Sequence, residues 1–231
     1  MKKFGVAFLI AALIPLLASG CSSGFRGVFG KRSTGYHAPP PRFADDERAC
    51  LASGVVRSSN FVTTRSSLGS GYSGCGAIQP FVVRAAVGGQ VALRPAATLR
   101  CPMVPAVEDW LRDVVRPAAR QHLGREVVSI QVAASYACRT RNSIPGARLS
   151  EHGRANALDV RGFVLAGGEV VSVRHGWHSW GGESAFLREV HRGACRIFTT
   201  VLGPNADRYH RDHFHFDLAR HGRRGTYRVC R

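Results

Sequence analysis

Two short stretches carry the residue types that do chemistry: SEHGRANALD (Ser150 to Asp159) and HRDHFHFD (His210 to Asp217). The first sets His152 and Asp159 seven positions apart, and the second holds His210, Asp212, His213 and His215 within six residues. A catalytic zinc site needs three protein ligands from imidazole, thiolate or carboxylate, one position open for water, and a proton carrier nearby. The two stretches supply two imidazoles and a carboxylate, with acid–base groups to spare. Packing or solubility alone rarely selects three histidines in six residues, so the cluster is read as functional. His37, His122, His175, His178, His191 and His221 stand alone and are read as structural.

These residues need stiff elements beneath them. Side chains at i and i+2 of a strand share a face. In a strand predicted over His213 to Leu218, His213 and His215 therefore project together, while Phe214 and Phe216 anchor the other face in a core. An unbroken strand there points Asp212 away from His215. Asp159 enters a β-hairpin predicted from Ala157 to Val173, turning at Gly167 and Gly168. Gly153, Ala155 and Ala157 are small enough to leave room around His152. Upstream, Val128, Ile130, Val132, Ala134 and Tyr136 alternate as a half-buried strand that runs into Cys138 and Arg139. Val107, Trp110, Leu111, Val114, Val115 and Ala118 recur at helical spacing, weakened near Pro117. A second helix gathers Phe186, Leu187, Val190, Ala194, Ile197 and Phe198 on one face, before a turn at LGPN, 202–205. FVTT (61–64), PFVVRAAV (80–87) and QVALRP (90–95) read as short strands, with a hairpin turn at Gly88 and Gly89. The sum is an α+β fold: a small, mainly antiparallel sheet with helices packed on one side.

The N-terminus frames where this chemistry takes place. Lys2 and Lys3, an apolar run from Phe4 to Leu17, and Ala18, Ser19 and Gly20 before Cys21 form an export leader over residues 1–20, too short in its apolar part for a membrane span. A small-small-Cys end resembles a bacterial lipobox, which predicts lipidation of Cys21; an ordinary cleaved signal is the alternative. Ser22 lacks the aspartate that retains lipoproteins at an inner membrane, which favours an outer one. Residues 21–47, rich in Ser, Gly and Pro, read as a flexible tether to a folded domain over 48–231. Cys50, Cys75, Cys101, Cys138, Cys195 and Cys230 then make an even set in an exported chain, hence three disulfides whose pairing the sequence leaves open. No CxxC occurs, which argues against a cysteine zinc knuckle. Net charge is +17, and removal of Lys2 and Lys3 with a leader leaves +15. Export and the lack of a nucleic-acid motif argue against nucleic acid, leaving anionic wall polymer, lipid headgroups or a merely solvated basic face.

From about Cys50 to Cys230 the chain resembles the bacterial extensin-like C-terminal domain family, through SYACR (135–139), SEHGRANALD (150–159), GACRIF (193–198), VLGP (201–204) and HRDHFHFD (210–217). More widely it is similar to the zinc peptidases that include D-Ala-D-Ala carboxypeptidases, the penicillin-insensitive murein endopeptidase and the hedgehog signalling domain. Their pattern S-x-H-x-x-G-x-A-x-D, followed by H-x-H or acid-x-x-H, finds Ser150, His152, Ala157 and Asp159 in register, with glycine at 153 rather than 155. The resemblance implies a hedgehog-like or D-Ala-D-Ala-peptidase-like fold with His152, Asp159 and His215 as Zn2+ ligands. It implies His213 or Asp212 as the acid–base group, Asp212 being the better base only if the strand starts after it, and His210 as an orienting neighbour. Arg139 is similar to an arginine that binds a substrate carbonyl or carboxylate, although Ala137 and Cys138 interrupt that element. A Cys138–Cys195 bridge would tie the strand to the second helix. The implied activity is zinc-dependent hydrolysis of amide bonds in peptidoglycan peptides, by a carboxypeptidase or endopeptidase held at the membrane by a lipid. The alternatives are a non-catalytic zinc-containing wall-binding or scaffolding lipoprotein, and a disulfide-stapled domain without metal.

Overall fold

A computed structural model describes residues 41–69 and 74–231. The leader, Cys21, His37 and residues 22–40 of the expected tether lie outside the described residues. The elements in chain order are helix α1 (Pro41–Ser53), strands β1 (Val62–Thr64), β2 (Leu68–Gly69), β3 (Gly76–Ala77), β4 (Phe81–Ala86) and β5 (Val91–Leu99), then helices α2 (Met103–Trp110) and α3 (Arg116–Leu123). Strands β6 (Val127–Ala134), β7 (Ala157–Leu165) and β8 (Val170–Ser172) follow, then helices α4 (Val173–Gly176) and α5 (Gly182–Ile197), and strands β9 (Thr200–Leu202), β10 (Phe214–Asp217) and β11 (Val229–Cys230).

One sheet runs β1-β4-β5-β6-β7-β10-β9-β11, with β8 also on β7, and β2 and β3 form a separate ribbon. Pairing is antiparallel except for β5 with β6 and β9 with β11. The fold is α+β with a mainly antiparallel sheet, as expected. β9 and β11 extend the sheet past β10, and β11 follows β10 in the chain.

The core lies between one sheet face and the long helices. Trp110 of α2 is fully buried, with its ring 4.7 Å from Phe216 of β10, 6.0 Å from Phe163 of β7 and 6.4 Å from Phe198. Its Nε1–H donates to the Val190 carbonyl of α5 at 3.1 Å, so one side chain joins both helices to the sheet. The expected helix around Trp110 is longer at both ends, running from Met103 to Leu123 through a π turn at Leu111–Val115. That wide turn immediately precedes Pro117, which lacks the N–H for a regular i→i−4 bond and crowds the carbonyl one turn back.

Three expectations change. The tether was expected to reach residue 47, but α1 is already helical from Pro41. Ala44 and Glu47 are buried, and Glu47 Oε1 accepts from the backbone N–H of Ile78 at 3.0 Å and Gln79 at 3.2 Å. Val128 is exposed rather than inward-facing, because the register with β7 shifts between Val127 and Ser129. The disulfides are Cys50–Cys101, Cys75–Cys138 and Cys195–Cys230, so the expected Cys138–Cys195 bridge does not form. Cys195 on α5 is instead tied to β11, and Cys138 to the segment before β3.

Trp110→Ala should cost about 3–5 kcal/mol of unfolding free energy in denaturant melts. Trp180→Ala, at a side chain 97% exposed, should stay within about 0.5 kcal/mol.

Candidate metal centre

The sheet register places the first two candidate ligands. β10 pairs with β7 so that His215 lies directly opposite Asp159, with Phe214 opposite Val160 and Phe216 opposite Leu158. Alternation sends the two phenylalanines to the Trp110 core and leaves His215 and Asp159 together on the other face. His152 arrives on a 3-10 turn, Glu151–Arg154, where the Ser150 side chain accepts from the His152 N–H. The turn is pinned to the segment after β6 by Ala137 N–H to the His152 carbonyl at 3.2 Å and by Ser150 N–H to the Arg139 carbonyl at 3.0 Å. Gly153 does not serve the ligands as expected: a Cβ there would meet Cys75 Sγ at 2.9 Å and Leu149 Cδ1 at 3.0 Å. The missing side chain lets the Cys75–Cys138 bridge pack on the turn. Ala155 closes the turn at φ 50, the left-handed conformation in which glycine is at ease.

His152, Asp159 and His215 converge. One ligand atom from each lies within 4.8 Å of the others, and all three residues are buried. His152 Nε2 is 3.1 Å from Asp159 Oδ2, and His215 Nδ1 is 2.8 Å from Asp159 Oδ1. His152 Nδ1–H donates to the Ser135 carbonyl at 2.6 Å, and a carbonyl can only accept. Its Nε2 is buried beside the Asp159 carboxylate, 3.1 Å away, without a hydrogen-bond partner. In the neutral ring that nitrogen is an acceptor facing an acceptor, an unfavourable contact that a proton or a metal cation between them relieves. The residues fit a zinc site: two imidazoles, one carboxylate and an orphaned buried nitrogen among them. The other His/Cys group, His191 with Cys195 and Cys230, offers no thiolate because its cysteines form a disulfide.

Electrostatics agree with a cation-seeking cage. Burial by itself would raise the Asp159 pKa, yet the neighbouring His152 and His215 imidazoles outweigh it and hold the carboxyl well below the usual carboxylate range. Burial would lower His215, but hydrogen bonds to Asp159 and Asp217 outweigh that and raise it to about 10.

The triad lines the wall of an open cleft of about 540 Å3. His213 sits one residue before β10, with Nε2 3.7 Å from Asp159 Oδ2 and Nδ1 2.8 Å from Asp212 Oδ1. The strand thus begins after Asp212, whose largely exposed carboxylate is engaged with His213 rather than with the triad. His210 lies 5.2 Å from the His213 ring and 5.8 Å from the His215 ring, and its Nδ1 is held by Asp207 Oδ1 at 2.7 Å. Burial lowers the His210 pKa against the opposing pull of Asp207. Arg139 lines the cleft half-buried, and the hydrogen bond recorded for its guanidinium is a long one, 3.4 Å, to the Thr140 carbonyl.

Sequence reasoning passed over Asp217 and His221. Asp217 Oδ2 is 2.9 Å from His215 Nε2, and His221, read as structural, lines the cleft and meets Thr200 Oγ1 at 2.6 Å. The signal for Asp217 was available, since it continues the i+2 series from His215 on the same strand face. Nothing local marked His221, whose partner is twenty-one positions away.

The pKa shifts predict how chelator-stripped protein responds to pH. The raised His215 stabilises the fold fully below its ordinary value of 6.5, and that contribution is lost as pH rises through about 10. The depressed Asp159 stabilises it above 3.8 and is lost as pH falls further. Urea melts of stripped protein should therefore weaken from pH 6.5 towards pH 10, and His215→Gln should flatten that limb; a wild-type profile already flat there would contradict the geometry.

The family described as extensin-like protein C-terminus matches residues 48–231. No curated protein and no solved structure matches the chain. The family match covers most of the sequence and contains the whole candidate metal centre, and the chain belongs to the extensin-like C-terminus family.

Proposed function

We propose that the chain is a zinc-dependent hydrolase of amide bonds in peptidoglycan peptides, acting in the cell envelope as an exported, lipid-anchored protein. The observation that carries this reading is the buried His152 Nε2, without a hydrogen-bond partner, converging with Asp159 and His215 on the wall of a cleft. Two nitrogen donors and one carboxylate favour zinc over calcium or magnesium, which take oxygen ligands. Held there, a zinc ion supplies Lewis acidity towards a carbonyl and acidifies water to near neutral pH.

The remaining roles belong to the chain. Asp212 can only accept, so it holds the proton of His213 on Nδ1 and leaves Nε2 free towards the cleft. His213 Nε2 takes a proton from the attacking water and returns it to the departing amine as the amide C–N bond breaks. Asp212 orients that imidazole, which makes His213 the better proton carrier of the two. His210, kept neutral by burial and fixed by Asp207, packs behind His213 and steadies its ring. Arg139 offers a planar fork to a substrate carbonyl or carboxylate. Peptidoglycan as substrate is supported by the resemblance to wall peptidases, by the export leader in the sequence and by three disulfides, which persist in oxidising compartments. The +17 charge supports an anionic polymer as partner.

Purified, zinc-loaded protein incubated with isolated murein and with D-Ala-terminated muropeptides should release new amines, read by chromatography of the products. His152→Ala should abolish release, and His213→Ala should slow it by about 10²–10⁴-fold. Zinc-loaded protein that binds murein but cleaves none of these substrates would replace the hydrolase with a zinc-containing wall-binding module.

A further inference from the structure

We propose that Asp217 is a positioning residue: it decides which nitrogen of His215 faces the metal site, and through that choice sets the affinity for the metal. The inference rests on the zinc reading above and concerns a residue outside the three ligands.

His215 and Asp217 lie two apart on β10 and so share a face, with Asp217 opposite Ala157 on β7 and Thr200 on β9. Ala157 presents only a methyl group there, which leaves the carboxylate space to turn towards the imidazole. Asp217 Oδ2 lies 2.9 Å from His215 Nε2. A carboxylate can only accept, so Nε2 carries a proton; Nδ1 lies 2.8 Å from Asp159 Oδ1 and can donate as well, so a metal ion would displace the Nδ1 proton while Asp217 keeps the one on Nε2. Without this contact either nitrogen could hold the remaining proton, and a proton on Nδ1 would block the ligand atom.

The carboxylate is itself held. Its Oδ1 accepts from Ala219 N–H at 2.9 Å, and the Asp217 carbonyl accepts from Thr199 N–H at 3.0 Å and Thr199 Oγ1–H at 3.2 Å. Thr200 faces the same carboxylate and joins it to His221 of the cleft wall through a 2.6 Å contact. Among the described residues, the ion pair recorded for buried Asp217 is with His215, and no arginine or lysine neutralises it. Burying a carboxylate is costly, and here it serves one imidazole. The two histidine ligands are thus set differently: a neutral backbone carbonyl fixes His152, and an anionic side chain that can be mutated fixes His215.

Zinc affinity, measured on the purified protein by competition with a chromogenic chelator, tests this. Asp217→Asn keeps the shape but can turn an N–H towards Nε2, and it should bind zinc about 10–100-fold more weakly with unchanged circular dichroism. Long-range nitrogen–proton NMR of zinc-loaded wild type gives an answer that needs no variant: the His215 proton should be on Nε2. Wild-type affinity in folded Asp217→Asn, or a proton on Nδ1, would overturn the role of Asp217 while leaving the metal reading intact. A wild-type protein that takes up no zinc would instead sink the metal reading, and this inference with it.

Discussion

The antiparallel pairing of β10 with β7 is the constraint from which the site follows. A strand slip of one residue exchanges the faces of every side chain. Here such a slip would send His215 into the aromatic core and a phenylalanine to the cleft. Trp110 prevents it by packing on Phe163 of β7 and Phe216 of β10 at once, while its indole N–H is tied to α5. Core packing on one face thus sets the geometry of the candidate ligands on the other. A centre built this way is stiff without any special structure of its own, because its precision comes from close packing that the fold requires anyway.

The third candidate ligand is secured by different means. His152 rides on a short turn, and short turns hold their shape only when their backbone groups are bound elsewhere. The segment after β6 supplies those bonds: the Ser135 carbonyl fixes the imidazole, the Ala137 N–H and Arg139 carbonyl fix the turn, and Cys138 between them is bridged to Cys75 against Gly153. One segment therefore orients the ligand, braces its backbone and delivers Arg139 to the cleft. Among the described residues, few buried side-chain polar atoms lack a partner, and one of them is His152 Nε2 at the candidate metal centre.

Most of the site was legible because its chemistry is dense in the sequence and its strands alternate cleanly. The two stretches that hold His152, Asp159, His213 and His215 stood out by residue type and spacing, their roles were implied by the family resemblance, and the Phe214/Phe216 alternation gave the facing of β10. The helix around Trp110, the hairpin at Gly167–Gly168 and the second helix were readable for the same reason, since periodicity reports burial. What failed was set by contacts distant in sequence. The α1 helix looks like tether in composition, and its order comes from Glu47 bonding to residues more than thirty positions away. Val128 broke the alternation because a register shift, invisible in the residues themselves, turned it outward. Gly153 was small for the sake of a disulfide partner that sequence could not assign. His221 needed β9 to bring Thr200 to it.

Anomalous X-ray diffraction at the zinc edge, on crystals of the purified protein, tests the central claim most directly. A single strong peak within coordination distance of His152 Nε2, an Asp159 carboxylate oxygen and His215 Nδ1 is the predicted result. Zinc-supplemented crystals with no peak there, or with the metal bound only at other residues, would contradict the account.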